Sequence, residues 1–476
     1  MTQQKHSIKR FSLELQTKSS RQSHALQWKC VNLVKEELIN NIDELLSHYF
    51  PGDEIVRINK IEIDLGDLTT ESLEKDFVAK CMAELTHKIK AIPSKQKQED
   101  EAEITNMTKE ENSLQQFFFF LSTGKMPWAT YHINFMQWQT ELEDVLQTRP
   151  YWFRKTFSGF LLKNPQTIER LVMQFDDGFI SRLIELFYPG LQKEYDHLIT
   201  ILKEKTAADQ NDIIKRTVCI KLLPVLFVAA KKMDEKDIQD IIEWIGIRNS
   251  KGADEKILSD IKDAIIAMVK KLDGSIDTTV LAEMTVKNTA SENILKSIKK
   301  GTEGGKVENT SIYINNAGII ILHPFLQNLF KVTGLMILET FKDNFSQQKA
   351  VHLLQYLTNG QQEEPEYMMP LNKILCGLSD EERVDRFIKL KEAEIKEADE
   401  LLQAVITHWA ALKNTSIEGL KETFLQRNGK LSFNEADGFW KLQVERKAVD
   451  LLLDKIPWGF SYVQLPWMKY ALVTVW

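Results

Sequence analysis

Residues 114–128 read "LQQFFFFLSTGKMPW", and the four adjacent phenylalanines Phe117, Phe118, Phe119 and Phe120 restrict the fold more than any other feature of the chain. A helix turns once in about 3.6 residues, so four successive rings cover every azimuth. Such a segment has no wet face: it is buried on several sides or held against a partner. Gly124 is placed to supply a left-handed cap and Pro127 to open the next element, which predicts an abrupt helix end at "TGKMPW".

The text that follows is helical in short pieces. From about 135 to 300, apolar residues recur at helical spacing in "FMQWQTELEDVLQ", "YWFRKTFSGFLL", "GFISRLIELFY" and "DEKILSDIKDAIIAMVKKL". Pro150, Pro165, Pro189 and several glycines punctuate the run, and no fixed period of about 30–45 residues marks a helical repeat. This predicts a compact helical domain over 113–284 and not one continuous rod.

Ahead of it, residues 1–92 read as a small α+β domain of βαβα order. "IKRFSLEL" at 8–15 alternates as a half-buried strand, and a helical stripe spans 20–48 behind the cap-like "SSRQ". "VRINKIEIDLGDL" at 56–68 alternates again with a bulge at Asn59-Lys60, and a second helix covers about 70–91. Glu62 and Asp64 lie two apart on a strand, which puts both on one solvated face. Two stretches poor in core-forming residues, 93–112 and 285–310, read as linkers. In the second, "GTEGGKV" imitates a phosphate loop and fails: it is one residue short, and Val307 stands where magnesium needs a hydroxyl.

Residues 311–476 read as a Trp-rich α+β domain, so the fold class is mostly α with two small α+β parts. "SIYI" is a short strand, "NNAG" turns it, and "IIIL" is a buried run that Pro324 ends. His323 is thereby expected outside helical geometry, as an N-cap that accepts a backbone N–H. No cysteine or carboxylate lies beside it to activate it, so it is read as packing and not as a catalyst. His352 and His408 sit in apolar helices without the spacing of a zinc site. Trp409, Trp440, Trp458, Trp467 and Trp476 crowd the last 68 residues, and Trp458 and Trp467 each follow a proline. That concentration means either an aromatic core or a surface made for a partner. "WKLQV" and "ALVTVW" are strand candidates, with a helix at "ERKAVDLLLDKI".

Composition removes several functions. The 476 residues carry a formal net charge of -7, with no basic block to neutralise phosphates, so nucleic acid is not an expected partner. The four cysteines are too far apart for CxxC metal spacing and too few in a chain this long for a disulfide framework, and they read as core thiols. The N-terminal residues lack an apolar signal region and no apolar run spans a bilayer, which predicts cytoplasmic synthesis and no membrane insertion. With no nucleophile–base pair, phosphate loop or metal spacing, no enzyme, cofactor or metal site is expected.

Taken in order, "INKIEIDLG", "FFFFLSTGKMPW", "NAGIIILHPFLQNLF", "AVHLLQYLTNG", "EYMMPLNKILCGL", "VITHWAALKNTSIEGLKETFLQRNGKL", "VDLLLDKIPW" and "LPWM" resemble the contractile injection system tape measure protein family. The resemblance covers nearly all of 311–476 and two islands upstream. It implies a non-enzymatic assembly role in phage-tail-like particles, in tube assembly or length control, with tail tube, baseplate or cap proteins as partners. Assembly would be cytoplasmic, and retention in the released particle and homo-oligomerisation are both compatible with it. The alternative is a helical scaffold or chaperone-like adaptor that keeps another component soluble. A ruler made of one helix fits poorly, since roughly 190 central residues would reach only about 285 Å. The contacts expected to face a partner are Phe117, Phe118, Phe119, Phe120, Trp128, Trp458 and Trp467, with core packing an equal account of each.

Overall fold

Several helices in this chain begin at short polar N-caps or at prolines. Asn134 accepts from the Gln137 N–H at 3.0 Å, Asp176 from Phe179 at 2.7 Å and Asp343 from Ser346 at 2.7 Å. Pro150 opens its own helix, and Gly360, at φ 71°, closes another in the left-handed conformation. The computed structural model describes residues 6–9, 11–17, 23–50, 55–69, 72–90, 104–130, 133–205, 211–227, 235–248, 255–275, 311–412 and 414–476. The protein is mostly helical with a small sheet near the C-terminus. By its internal contacts it divides into two units, Met1–Leu114 and Gln115–Trp476.

In the first unit, α1 (Ser23–Leu33) passes through a π-helical turn, Val34–Leu38, into α2 (Ile39–Tyr49), and α3 (Leu73–Lys90) packs against them. Cys30, Leu38, Ile42, Leu73, Phe77 and Cys81 form the core. Among the described residues of 8–15 the expected strand does not form: only Leu13 packs against this core, while Phe11 and Leu15 are exposed. Alternation alone cannot make a strand without a neighbour to complete the ladder. Strand β1 is short, Ile55–Ile58, and ends where the bulge was expected. Beyond it Ile63, Leu65 and Leu68 still turn inward, with Glu62 and Asp64 outward, but no ladder forms. The partner of β1 is β2 (Ile104–Met107), antiparallel with Ile55 opposite Met107. Residues 104–112, read from sequence as linker, therefore carry a strand and the start of α4 (Lys109–Thr123). The expected "SSRQ" cap lies outside the described residues.

The second unit takes in the rest of α4 and then α5 (Phe135–Thr148), α6 (Pro150–Lys163), α7 (Thr167–Gln174), α8 (Asp177–Phe187), α9 (Gln192–Lys205), α10 (Asn211–Phe227), α11 (Glu235–Arg248) and α12 (Glu255–Ser275). The linker expected at 285–310, with its "GTEGGKV", lies outside the described residues. From Ser311 onward come β3 (Ile312–Ile314), a 3-10 turn over Ala317–Leu322, α13 (His323–Val332), the hairpin β4 (Met336–Ile337) and β5 (Thr340–Phe341), then α14 (Asn344–Asn359), α15 (Pro370–Leu375), α16 (Glu392–His408) and α17 (Ile417–Leu420). Strands β6 (Gly429–Asn434), β7 (Phe439–Val444), β8 (Tyr462–Val463) and β9 (Leu472–Val475) complete a five-stranded sheet in the order β3-β6-β7-β9-β8. Neighbouring strands run antiparallel except β7 and β9, whose parallel pairing needs the long crossover through Ala448–Lys455 and the Pro-Trp corner. That segment is 3-10 helical where an α-helix was expected.

"NNAGIIILHPF" is a close-packed corner. A Cβ on Gly318 would lie 1.6 Å from the Phe424 carbonyl oxygen, so the chain can pass here only with glycine. Ile319 to Leu322 are fully buried. His323 departs from its expected geometry. It lies in the right-handed helical region as the first residue of α13, Leu322 is the N-cap, and Pro324 is accommodated in the first turn.

Candidate interaction surface

Three of the four phenylalanines, Phe117, Phe118 and Phe120, face the interior in different directions. Phe117 meets Phe153, Phe157, Phe175 and Phe179 with ring centroids 5.4–6.3 Å apart, and Phe118 stacks on Phe160 at 4.5 Å. Phe120 sits edge-on to Trp138 and Tyr367, both at 5.8 Å. Phe117, Phe118 and Phe120 are fully buried, which leaves a partner no access; Phe119 and Trp128 are half-buried.

Gly124 ends α4 at φ +70° with its N–H bonded to the Phe120 carbonyl at 2.7 Å, as expected of the cap. Pro127 opens a turn and not a helix. Beneath Gly124 lies a buried ionic junction that has no counterpart in any local sequence pattern. Glu366 accepts from Arg170 Nε at 2.9 Å and NH2 at 3.4 Å, and from Lys373 Nζ at 2.5 Å. These three side chains are 0–2% exposed. Arg170 also donates to the carbonyls of Leu121 and Glu381, and Lys373 to that of Asp380. Burial pushes the Lys373 ammonium below its usual range, against the pull of Glu366. Around this junction, Gln174 bridges to the Val384 carbonyl and the Glu366 N–H, Arg216 pairs with Asp385, and Lys125 pairs with Asp380 at 2.5 Å. The central helices and the C-terminal block are thereby joined within one compact unit. Buried charges demand this density of partners, because an unpaired one is expensive.

The tryptophans of the C-terminal block are tied mostly to their own chain. Trp409 is fully buried and donates to the Leu452 carbonyl at 3.1 Å. Trp458 donates to Ile321 O and Trp467 to Leu375 O, both at 2.8 Å, while Trp476 donates to Asp450 at 3.1 Å. Trp458 packs edge-on to Phe325, and Trp467 lies against Phe330 and Phe341. Both are half-buried, so each keeps part of its face in solvent. The three histidines likewise turn to backbone oxygens: His323 to Ile320, His352 to Asp385 and His408 to Ala404. Burial lowers the His352 pKa to about 4. Among the described residues no cluster of three or more His, Cys, Asp or Glu side chains is placed to hold a metal ion, and no helix is long and apolar enough to cross a membrane.

Two surface features remain that sequence reasoning missed. At the tip of the β4–β5 hairpin, Leu338 adopts φ 58° and is 82% exposed; Val332, Ile337 and Phe345, in the same part of the chain, are exposed too. A leucine in a glycine conformation, covering nothing of its own chain, is an apolar knob. The second feature is a cleft of about 350 Å³ between the loop after α15, the β6–β7 hairpin and the Lys469-Tyr470 corner. Phe433 lies edge-on to Trp440 at 5.2 Å and to Tyr470 at 4.8 Å, and Lys469 Nζ stands 5.0 Å from the Tyr470 ring centre. Glu381 and Glu435 are exposed at its sides. These residues come from three separate segments, so no spacing in the sequence announces them; Trp440 alone stood out, as one of the C-terminal tryptophans.

Among the described residues the geometry is that of an aromatic and ionic interior with a few uncovered surfaces. No curated protein and no solved structure matches the chain significantly. A family model does, over residues 5–476, essentially the whole chain. The chain belongs to the contractile injection system tape measure protein family.

Proposed function

We propose that this protein acts in tube assembly of a contractile injection particle as a folded, non-enzymatic component that starts or anchors the tube, in contact with tube, baseplate or cap proteins. Its family is structural and not an enzyme class. The observation that carries the reading is the buried junction of Arg170, Glu366 and Lys373, which binds the central helices to the C-terminal block. A ruler working by extension would have to pull that junction apart, exposing or isolating three buried charges. Its longest described α-helical element, the 21 residues of α12, reaches only about 32 Å, and the unbroken helical run Ser23–Tyr49 only about 40 Å.

Insertion of helical turns into 285–310, followed by electron microscopy of the particles, tests this. Unchanged tube length is the expected result. Growth of the tube by about 1.5 Å per inserted residue would establish a ruler and overturn it. Retention of the protein in purified particles is also expected; its departure after assembly would favour the adaptor reading.

A further inference from the structure

We propose that the cleft bounded by Phe433, Trp440 and Tyr470 receives an extended, arginine- or lysine-bearing segment of a second particle protein. The first reason is a missing bond. Trp409, Trp458, Trp467 and Trp476 each donate the indole N–H to an acceptor within the chain, whereas Trp440, half-buried on the cleft wall, has none among the described residues. Tyr470, which lines the same cleft, has no hydroxyl partner among the described residues either. A peptide backbone offers a carbonyl at every residue to such donors.

The second reason is charge. Asp380 is neutralised by Lys125 at 2.5 Å, but Glu381 and Glu435 have no ion partner among the described residues. Carboxylates beside aromatic faces suit a guanidinium or ammonium, which stacks on a ring while its N–H groups meet the acids. Lys469 Nζ lies 5.0 Å from the Tyr470 ring centre without pairing to either acid among the described residues, so with Lys125 and Asp380 paired the two glutamates still outnumber the one lysine in the lining. The third reason is rigidity: Arg170 holds the Glu381 carbonyl at 3.0 Å and Lys373 that of Asp380 at 3.2 Å, so the loop bearing Glu381 is positioned before any partner arrives. A volume of about 350 Å³ admits one or two residues of a peptide and not a domain. The net charge of -7 opposes a second copy of this acidic chain as the occupant.

The test uses the purified full chain and two fluorescein-labelled peptides, Gly-Arg-Gly-Arg-Gly and Gly-Glu-Gly-Glu-Gly, followed by anisotropy. Only the arginine peptide is expected to bind, more weakly at high salt. Glu381→Gln with Glu435→Gln, and separately Trp440→Phe, should each weaken it about tenfold or more with the unfolding midpoint unchanged. Equal binding of both peptides, no binding, or full binding by the double Gln variant would overturn the proposal. A photo-crosslinking residue at Glu435 in assembling cells then identifies the source. A crosslink to a basic segment of another particle protein is expected; a crosslink to a second copy, or none, refutes the assignment. The peptide titration reads the cleft alone, independently of tube length.

Discussion

Gly124→Ala should be far more damaging than its place at a helix end suggests. A residue with a Cβ at φ +70° costs about 1–2 kcal/mol relative to glycine. The new Cβ would lie 2.2 Å from Glu366 Oε1, 2.8 Å from its Cδ and 3.1 Å from Arg170 Nε, so the carboxylate has to move. It is 0% exposed and held on both sides by Arg170 and Lys373, and disengaging one partner of such a buried group costs about 3–5 kcal/mol. The sum is about 4–7 kcal/mol. Gly190→Ala is the control, because Gly190 has φ +87° with nothing within 4 Å of the added atom; it should cost only about 1–2 kcal/mol. Urea unfolding of the full chain, followed by tryptophan fluorescence and circular dichroism, measures both. A Glu366→Ala background completes the cycle: with the carboxylate removed, Gly124→Ala should fall to the Gly190→Ala value. Equal losses for the two glycine variants in the wild-type background would refute the coupling between helix cap and charged junction.

Other outcomes follow from the same geometry. The folded-state pKa of His352, about 4, lies below the ordinary 6.5, so the unfolded chain takes up a proton that the folded chain refuses. Stability is therefore complete above about pH 6.5 and is lost as pH falls toward 4, by about 3 kcal/mol; His352→Gln should flatten this slope, and an identical slope would exclude the imidazole as its source. Trp458→Phe and Trp467→Phe remove one hydrogen bond each and should cost about 1 kcal/mol, against about 3 kcal/mol for alanine. An alanine double variant with an unchanged midpoint but no normal particles would return both residues to an interface. Leu338→Gly relieves the φ of 58° and should leave the protein as stable or about 1 kcal/mol more so, read by its unfolding midpoint; a marked loss would mean that the leucine packs after all.

Local chemistry in the sequence determined the helices of the central region, the cap at Gly124, the strands Phe439–Val444 and Leu472–Val475, and the burial of "IIIL", because periodicity, proline and glycine act within a few residues. The family was legible too, since its motifs recur in order along the chain. The tertiary structure alone decided the rest. Alternation at 8–15 did not become a strand for want of a neighbour, while the plain segment Ile104–Met107 became one because Ile55–Ile58 lay beside it. Phe117, Phe118 and Phe120 went inward because other rings surround them, a choice between core and partner that identity does not reveal. Arg170 and Glu366 stand 196 residues apart in the chain, and the cleft gathers its rings from separate segments. Desolvation and pairing are properties of what surrounds a side chain, and for charged and aromatic residues those surroundings exist only once the distant segments have met.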